Sequence, residues 1–405
     1  MSTSSPEPAK VGEGVTWTRR FSKSGLWAGG RKISPVVGWG GSADRAVSES
    51  SAVLDASAPN GGNGGSITVN GYKVVLDETA PLDVLAPYGT TGTITIDPNY
   101  TDMTTASALE AVDTGSQVLT GCVSLGANID LATVSGPFSW KPLGTSSSAA
   151  FTGIFNGNGY VVSGYTIPGV NNNGTGFIGY LGYGGKVENL GVSGTVNGGS
   201  NNEVGGVVGV NSGGTVETSY NTGTVTGTGS AVGGVVGVNS GGTVENSYNT
   251  GTVTGTGSDV GGLVGVNSGG TVKTSYNTGS VSGGSDVGGV VGGNIGNSGT
   301  VENSYNMGTV TGTGYNVGGV VGGNSGTVET SYNTGSVSGS YDVGGVVGGN
   351  SGTVEYAYYN SSVYTGNAIG GGTTTGTTIT DVSRISATNF GNVGNFSGWT
   401  SANFR

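Results

Sequence analysis

The stretch VGGVVGVNSGGTVETSYNTGTVTGTGSA, residues 204–231, is followed at once by VGGVVGVNSGGTVENSYNTGTVTGTGSD, residues 232–259. The opening phrase VGG(V/L)VG occurs six times, at spacings of 28, 28, 27, 30 and 26 residues. Its copies begin at Val204, Val232, Val260, Val287, Val317 and Val343. Self-similarity at a nearly fixed period in the twenties predicts a solenoid or a related repeat array.

Each repeat contains three short runs of β type, such as VGGVVGVN, GTVETSYN and GTVTGT, separated by Gly, Asn and Ser. The runs are rich in β-branched and turn residues and poor in helix formers. No repeat has an eleven-residue stretch with a helical period. We therefore predict an all-β fold, a parallel β-helix or β-solenoid with about three short strands per coil of roughly 28 residues.

Alternation along the runs assigns the valines to the interior of the coils. Val216 and Val225 have polar neighbours on both sides, so strand geometry places the valine inside and its neighbours outside. One coil alone has few apolar contacts, whereas stacked coils form a continuous valine column. In VGGVVG the facing stays open, because Val207 and Val208 are both apolar. The glycines there suit tight corners or a close approach of two backbones.

Composition and charge exclude several classes of function. The 405 residues include 88 Gly, 9% charged residues, no His and one Cys, with a net charge of −11. An acidic chain of this kind disfavours nucleic acid and anionic membranes as partners. Without His, and with Cys122 alone, we expect no disulfide, no cysteine-based zinc site and no cofactor. No run approaches the length of about 20 apolar residues that spans a bilayer, and the N-terminus lacks an apolar signal core.

Several phrases carry a family resemblance. WKPLG begins at Trp140, FTGIFNGNGY at Phe151 and GFIGYLG at Gly176, and the repeated VGG(V/L)VG and GTVxNS phrases follow. This order resembles the GLUG-repeat family of bacterial surface proteins, which includes filamentous-haemagglutinin-like adhesins and some surface peptidases. The resemblance implies a right-handed solenoid, located outside the cell or on its surface. It supplies no catalytic residue, and in the peptidases with such repeats it implies that the chemistry resides in a separate domain.

We divide the chain into five segments. They are an irregular, partly basic and aromatic segment at 1–60, a β-rich start of the solenoid at 61–126, aromatic-rich entry coils at 127–200, six GLUG-like repeats at 201–360, and an irregular tail or cap at 361–405. In the first segment Trp17, Phe21 and Trp27 alternate with basic residues. That pattern fits a docking patch for an acidic partner, but a small packed start or a linker explains it more simply. Thr105–Gly115 is the one helical candidate.

Stacking turns each repeated residue into a column, and three polar columns bear on chemistry. Glu217, Glu245, Lys273, Glu302 and their equivalents form a charged row whose neighbours lie about 5 Å apart. That separation is close to the one retaining glycosidases use, but a solvated outer face explains it as well. Repeated Asn residues predict amide ladders at the turns. Asp residues recur before some VGG phrases, but one oxygen per coil does not provide the ligands Ca²⁺ needs, so we predict no metal site.

Two further columns form the candidate binding face. The hydroxyl column consists of Thr224, Thr226, Thr252, Thr254, Ser280, Ser282, Thr309, Thr311, Ser336 and Ser338. The tyrosine column consists of Tyr220, Tyr248, Tyr276, Tyr305 and Tyr332, with Tyr358 as a sixth member. Facing outward, the tyrosines would offer a platform for sugars; at a corner or facing inward, they would simply hold the coils in register.

These features predict a non-enzymatic, adhesin-type solenoid that displays repeated polar and aromatic faces to glycans or surfaces through many weak contacts. One alternative is a structural stalk or fibre segment, including a phage tail fibre. Another is an ice-binding solenoid that uses the Thr/Ser face. We expect no catalytic residue, cofactor, nucleic acid partner or membrane insertion; flanking domains of a larger parent protein and self-assembly along the rod are consistent with the sequence.

Overall fold

The computed structural model describes two compact units, residues 1–98 and residues 99–405. In the first it describes the backbone of six strands, and in the second residues 101–114, 120–134, 138–169, 174–372, 379–380 and 383–385. The predicted basic and aromatic patch at Trp17, Phe21 and Trp27, and the predicted cap within 386–405, lie outside the described residues.

The strands of the first unit pair in parallel with partners 27 or 28 residues further along the chain. Their bounds are Ala46–Val47, Leu54–Asp55, Ser66–Gly71, Val74–Val75, Leu82–Asp83 and Thr93–Pro98. Ala46 pairs with Val74, Leu54 with Leu82, and Ser66 with Thr93. The separation equals the period of the repeats, so coil-like pairing extends into the end of the segment predicted to be irregular.

The second unit is a parallel β-solenoid with about eight turns of about 28 residues. Its described helices are an α-helix, Ala106–Thr114, at the predicted position, and a 3₁₀ helix, Leu131–Thr133. Equivalent residues pair in register from coil to coil; Thr215, for example, pairs with Thr243, which pairs with Thr271. The predicted fold class is confirmed, and the right-handed winding stays a prediction.

Two sheets carry the charged and the hydroxyl-bearing outer surfaces. The Glu sheet consists of Thr101–Met103, Cys122–Leu125, Ile154–Asn156, Lys186–Glu188, Thr215–Glu217, Thr243–Glu245, Thr271–Lys273, Thr300–Glu302, Thr327–Glu329, Thr353–Glu355 and Ile379–Thr380. The Tyr/Thr sheet consists of Ile129–Asp130, Phe138–Ser139, Val161–Ile167, Gly191–Asn197, Tyr220–Asn221, Thr224–Gly227, Tyr248–Asn249, Val253–Gly255, Tyr276–Asn277, Val281–Gly283, Tyr305–Asn306, Val310–Gly312, Tyr332–Asn333, Val337–Ser338, Tyr358–Asn360 and Ser383–Ile385.

Two further sheets come from the VGGVVG phrase and the residues after it. The Val/Asn sheet consists of Ile178–Leu181, Val208–Ser212, Val236–Ser240, Val264–Ser268, Val291–Ile295, Val321–Asn324, Val347–Asn350 and Ile369–Gly372. The Val-Gly sheet consists of Glu203–Gly205, Ala231–Gly233, Val260–Gly261, Val287–Gly288, Val317–Gly318 and Val343–Gly344.

A repeat therefore contains more strands than the three predicted, because two of the three runs bend in the middle. GTVETSYN is broken at Thr218, which has a left-handed φ of 48°. The same corner recurs at Asn246, Thr274, Asn303, Thr330 and Tyr356. Left-handed backbone is unfavourable for residues other than Gly. Here Ser219 stabilises the corner, since its hydroxyl donates to Glu217 O (2.8 Å) and accepts from Leu190 N (3.2 Å).

The VGGVVG run bends at its glycines, which resolves how its valines face. Val207 and Val208 are both completely buried, and their amides both donate to Val235 O, at 3.0 and 2.9 Å. The Val-Gly sheet lies directly on the Val/Asn sheet: a Cβ on Gly205 would lie 2.6 Å from Gly237 N. The glycines thus allow two backbones to approach, as predicted.

The core changes composition along the second unit. In the entry coils it contains Trp140, Phe155 and Phe177; Trp140 stacks on Phe177 at 4.5 Å and donates from Nε1 to Phe177 O at 2.8 Å. In the repeats it consists almost entirely of valine columns. The aromatic residues of the entry coils occur where some coils are longer than in the repeats, since Ile154 pairs with Lys186, 32 residues further along the chain.

Two buried amide ladders run through the repeats, as predicted. The first joins Asn211, Asn239, Asn267, Asn294, Asn324 and Asn350, each Nδ2 donating to the next Oδ1 at 2.7–2.9 Å. The second joins Asn221, Asn249, Asn277, Asn306 and Asn333 at 2.8–2.9 Å. Each amide also bonds the backbone of its own turn, as Asn277 does with Gly279. A ladder satisfies buried polar groups that would otherwise destabilise the core.

Candidate binding face

The predicted hydroxyl and tyrosine columns lie on one sheet, the Tyr/Thr sheet. Along each rung the side chains alternate: Asn221 and Val225 are buried, while Thr224 is exposed and Tyr220 and Thr226 are half-buried. The next coils repeat this order in register. The structure therefore brings the two predicted columns together on the outer side of one sheet. We name the part formed by the hydroxyl column the Thr/Ser face.

Hydroxyl groups on the Thr/Ser face are regularly placed and partly linked to one another. The Ser282 hydroxyl donates to Thr254 Oγ1 at 3.3 Å, and the Ser336 hydroxyl donates to Thr309 Oγ1 at 3.1 Å. On the outer edge Thr311, which is exposed, lies 3.2 Å from Ser338, oxygen to oxygen. A row of hydroxyl groups that are only partly satisfied by each other can still donate to and accept from a polar ligand.

The tyrosine column forms a continuous ring stack. Successive centroids from Tyr220 to Tyr332 lie 4.6–4.9 Å apart, and the planes differ by 3–5°. Each ring face therefore covers the next one, and the column turns mainly ring edges toward solvent. Partial burial raises the pKa of Tyr248 and of Tyr276, so their hydroxyl groups stay protonated at neutral pH. This geometry favours a column that holds the coils in register.

The tyrosine column ends where a groove of about 470 Å³ begins. The Tyr220 ring lies against Gly191, which occupies the tyrosine position of the preceding coil. The groove is lined by Tyr165, Thr166, Ser193, Thr195 and Thr224, with small residues between them. The Tyr165 hydroxyl is buried and has no hydrogen-bond partner among the described residues; burial raises its pKa.

The charged row on the Glu sheet is organised by two lysines. Lys186 Nζ contacts Glu188 and Glu217 at 2.6 and 2.9 Å, and Lys273 Nζ contacts Glu245 at 2.8 Å. The pKa of Lys186 and of Lys273 is raised, mainly because their ammonium groups donate hydrogen bonds to these carboxylates and also because of the negative charges nearby. Glu188, Glu217 and Glu245 thus form ion pairs with lysines, whereas Glu302, Glu329 and Glu355 follow one another in register on the outer surface.

An Asp row is formed by the residues that directly precede four strands of the Val-Gly sheet in the chain. They are Asp259, Asp286, Asn316 and Asp342, all with φ between 47 and 59°. Burial, with a smaller effect of the Asp286 charge, raises the pKa of Asp259 to about 6. Burial also raises the pKa of Asp286, against a hydrogen bond that Asn316 Nδ2 donates to it at 2.8 Å. Across the described part of the chain no group of three or more acidic or Cys side chains could hold a metal ion.

Sequence reasoning missed one feature of the surface, an exposed tyrosine pair. Tyr315 and Tyr341 are 57% and 58% exposed, and their rings stack at 4.9 Å with an interplanar angle of 22°. They lie in the turn between the Tyr/Thr sheet and the Val-Gly sheet, where other coils have Ser258 and Ser285. The change from Ser to Tyr in two adjacent coils is the signal that was available.

Comparison with known proteins supports the repeat assignment and the fold. The family model described as the GLUG motif matches residues 228–254, which confirms the predicted GLUG repeat in that part of the chain. None of the curated proteins matches the chain. A solved crystal structure of a "putative immunoglobulin A1 protease" from Bacteroides ovatus is similar with a TM-score of 0.50 and 22% identity. The similarity covers 72% of this chain and 85% of that one, and it concerns the fold alone.

Among the helices that the structure describes, none is long and apolar enough to cross a membrane.

Proposed function

We propose that this protein is a non-enzymatic attachment module, an adhesin-type solenoid that acts outside the cell or on its surface and binds glycans through the Thr/Ser face. The observation that carries the proposal is the register of that face. Outward hydroxyl groups repeat on every coil, with the same neighbours each time, as Thr226, Thr254 and Ser282 do. A glycan is itself a repeating array of hydroxyl groups, so many weak contacts can add from one coil to the next.

The rigidity of the scaffold supports this function. Surface hydroxyl groups bind weakly when ordering them costs conformational entropy. On the inner side of the same strands, Val225 and its equivalents are buried, and the amide ladder that begins at Asn221 joins successive coils. These contacts fix the backbone that bears the Thr and Ser residues. The face is thereby ordered before a ligand arrives, which reduces the cost of binding.

The similar structure from Bacteroides ovatus is named a "putative immunoglobulin A1 protease", so cleavage of immunoglobulin A1 is a second hypothesis for this chain. We favour attachment for this chain, because Glu217 and Glu245 form ion pairs with lysines and the sequence contains no His. An activity test with immunoglobulin A1 as substrate separates the two hypotheses: intact heavy chain after prolonged incubation is expected.

The proposal is tested by glycan-array binding of the whole chain and of a variant that blocks the face, T252K/S280K. Thr252 and Ser280 are exposed, so the lysines enter solvent and the fold is retained. The matched control is T243K/T271K, which introduces the same number of lysines at outward hydroxyl-bearing positions of the Glu sheet. Glycan binding that T252K/S280K reduces at least tenfold and T243K/T271K leaves intact supports the proposal. An array without any binding for the unaltered chain contradicts it.

The two alternatives each rest on one observation. The rows of Thr and Ser on one sheet also suit ice, and a thermal hysteresis measurement on the unaltered chain decides that case. The two continuous amide ladders suit a stalk or fibre, for which the expected result is end-to-end assembly by electron microscopy without glycan binding.

A further inference from the structure

We propose that the exposed pair Tyr315 and Tyr341 is a binding subsite for a sugar ring of a saccharide chain. The pair differs from the tyrosine column in the property that matters for stacking. In the column each ring is covered by its neighbours, and Tyr332 is only 9% exposed. Tyr315 and Tyr341 are 57% and 58% exposed, and the pair consists of two rings only.

One ring face of Tyr315 is on the side of the preceding coil, which has a small side chain at the equivalent position. Tyr341 stacks on one face of Tyr315. On the other side the equivalent residue of the preceding coil is Ser285, whose Oγ accepts a hydrogen bond from Tyr315 N at 3.3 Å. A serine there covers far less of the ring than a tyrosine would, so an aromatic face remains open beside a polar group.

Polar groups surround the pair on the adjoining turns. Thr313 and Ser340 are exposed, and the Ser340 hydroxyl donates to Thr313 O at 3.1 Å. Asn316 and Asp342 follow the two tyrosines directly in the chain. Aromatic rings with hydroxyl groups on the adjoining turns match a pyranose ring, which presents C–H groups on its face and hydroxyl groups at its rim.

The size of the patch distinguishes a saccharide from a protein partner. A standard protein interface buries about 800 Å² on each partner around an apolar centre. Two tyrosine rings bordered by Thr, Ser and Gly provide only a small part of such an area. The two tyrosines lie in the turns that follow the strands of Thr311 and Ser338, so we expect that one glycan chain can reach both the pair and the Thr/Ser face. The inference rests on the proposed function for its ligand class, but its site is separate.

The test uses the variant Y315S/Y341S, in which both turns receive the residue that Ser258 and Ser285 already provide in neighbouring coils. Binding is measured by affinity electrophoresis and by tyrosine fluorescence, with β-1,3-glucan, β-1,4-glucan, xylan and mannan hexasaccharides as probes. For the hexasaccharide that the unaltered chain binds, we expect Y315S/Y341S to bind at least fivefold more weakly. Y315F/Y341F keeps the rings and is expected to bind within twofold of the unaltered chain.

A third variant, Y183S, removes a tyrosine that is 88% exposed and belongs to neither the pair nor the column. It is expected to leave binding unchanged, which separates the pair from exposed tyrosines in general. Circular dichroism and the melting temperature verify that each variant is folded.

The outcomes separate the inference from the proposed function. Weaker binding in Y315S/Y341S alone, with T252K/S280K unaffected, supports the inference and overturns the Thr/Ser face. Weaker binding in T252K/S280K alone overturns the inference and leaves the proposed function. Loss in both variants supports both, and a chain that binds none of the probes overturns the inference.

Discussion

The first coils and the later coils of the repeat region fill the same gap between sheets in two different ways. In the first coils Glu203 and Ala231 precede the VGG phrase, and a valine, Val238 or Val266, occupies the third position of the next Val/Asn strand. In the later coils Asp or Asn precedes the phrase, and a glycine occupies that position. These later pairs are Asp259 with Gly293, Asp286 with Gly323, Asn316 with Gly349, and Asp342 with Gly371.

The backbone changes together with the side chains. Glu203 and Ala231 are the first residues of their Val-Gly strands, whereas Asp259 and its equivalents have a left-handed φ and stand outside the strand. The left-handed turn directs the carboxylate over the glycine of the next coil, where a Cβ would lie against the Asp259 carboxylate. Asp and Asn tolerate this conformation better than other residues that have a Cβ. The comparison teaches that a coil is specified by its neighbour as well as by itself.

The largest expected effect comes from placing a valine of the first arrangement opposite an aspartate of the second. In G323V the new Cβ would begin 2.5 Å from Asp286 Oδ1, so the carboxylate must move and loses the hydrogen bond from Asn316. We expect a loss of about 3 kcal/mol in the free energy of unfolding, measured by guanidinium titration.

The double variant D286A/G323V restores the Ala231 and Val266 combination of side chains but keeps the left-handed backbone at residue 286, so it is expected to recover about 1 kcal/mol of that loss. Additive effects of D286A and G323V in this cycle would show that the two positions are independent, contrary to the comparison.

An intermediate effect is expected from pH. The pKa of Asp259 is raised to about 6, so the folded state holds its proton more tightly than the unfolded state, in which the pKa is near 3.8. The free energy of unfolding therefore decreases as pH rises from about 4 to about 6 and stays lower above that range. Because the group is partly exposed, we expect a contribution of only about 1 kcal/mol.

Replacement by asparagine tests that assignment. Asn316 shows that an amide fits the same left-handed position and can donate to Asp286. D259N is expected to be more stable than the unaltered chain at pH 7 and to show a smaller change in melting temperature between pH 4 and pH 7. An unchanged pH dependence would assign the titration to other carboxyl groups.

The smallest expected effect concerns the Glu row, which continues in register through both regions and contains Lys273 between Glu245 and Glu302. K273E replaces the ion pair with Glu245 by a run of carboxylates from Glu217 to Glu302. Since the pair is largely solvated, we expect a loss of about 0.5 kcal/mol at low salt that disappears in 1 M salt. K273Q serves as the control for loss of the lysine charge alone; an effect that persists in high salt would indicate lost packing instead.

The columns of equivalent residues were predictable from the sequence, whereas the contacts between different sheets of successive coils were not. The period and the alternation predicted the solenoid, the buried Val216 column and the amide ladders, because these depend on strand geometry within one run. The corner at Thr218 was not predictable, since nothing in GTVETSYN demands a left-handed residue. The pairing of Asp259 with Gly293 depends on contact between two sheets of successive coils, and no single repeat contains that information.

For the candidate site, the sequence predicted that the Thr224 column projects outward, but it left the facing of the Tyr220 column open. The structure places both on the outer side of one sheet, with Thr224 exposed and Tyr220 half-buried. Ring stacking along the column depends on the coil spacing, so the covering of the ring faces became visible only in the structure. The exposed pair was missed because a search for columns passes over a residue type that occurs in two coils only.

The pairing between successive coils also restricts how the gene for such a protein can change length. Recombination between repeats removes or duplicates whole coils. Removal of residues 204–231 sets Glu203 against Val266, a pairing of the kind already present. Removal of residues 232–259 sets Ala231 against Gly293 and leaves a void, and duplication of residues 260–286 sets Asp259 against a valine. Length variants that survive are therefore expected to have their breakpoints within one region of the array, rather than at the junction between the two.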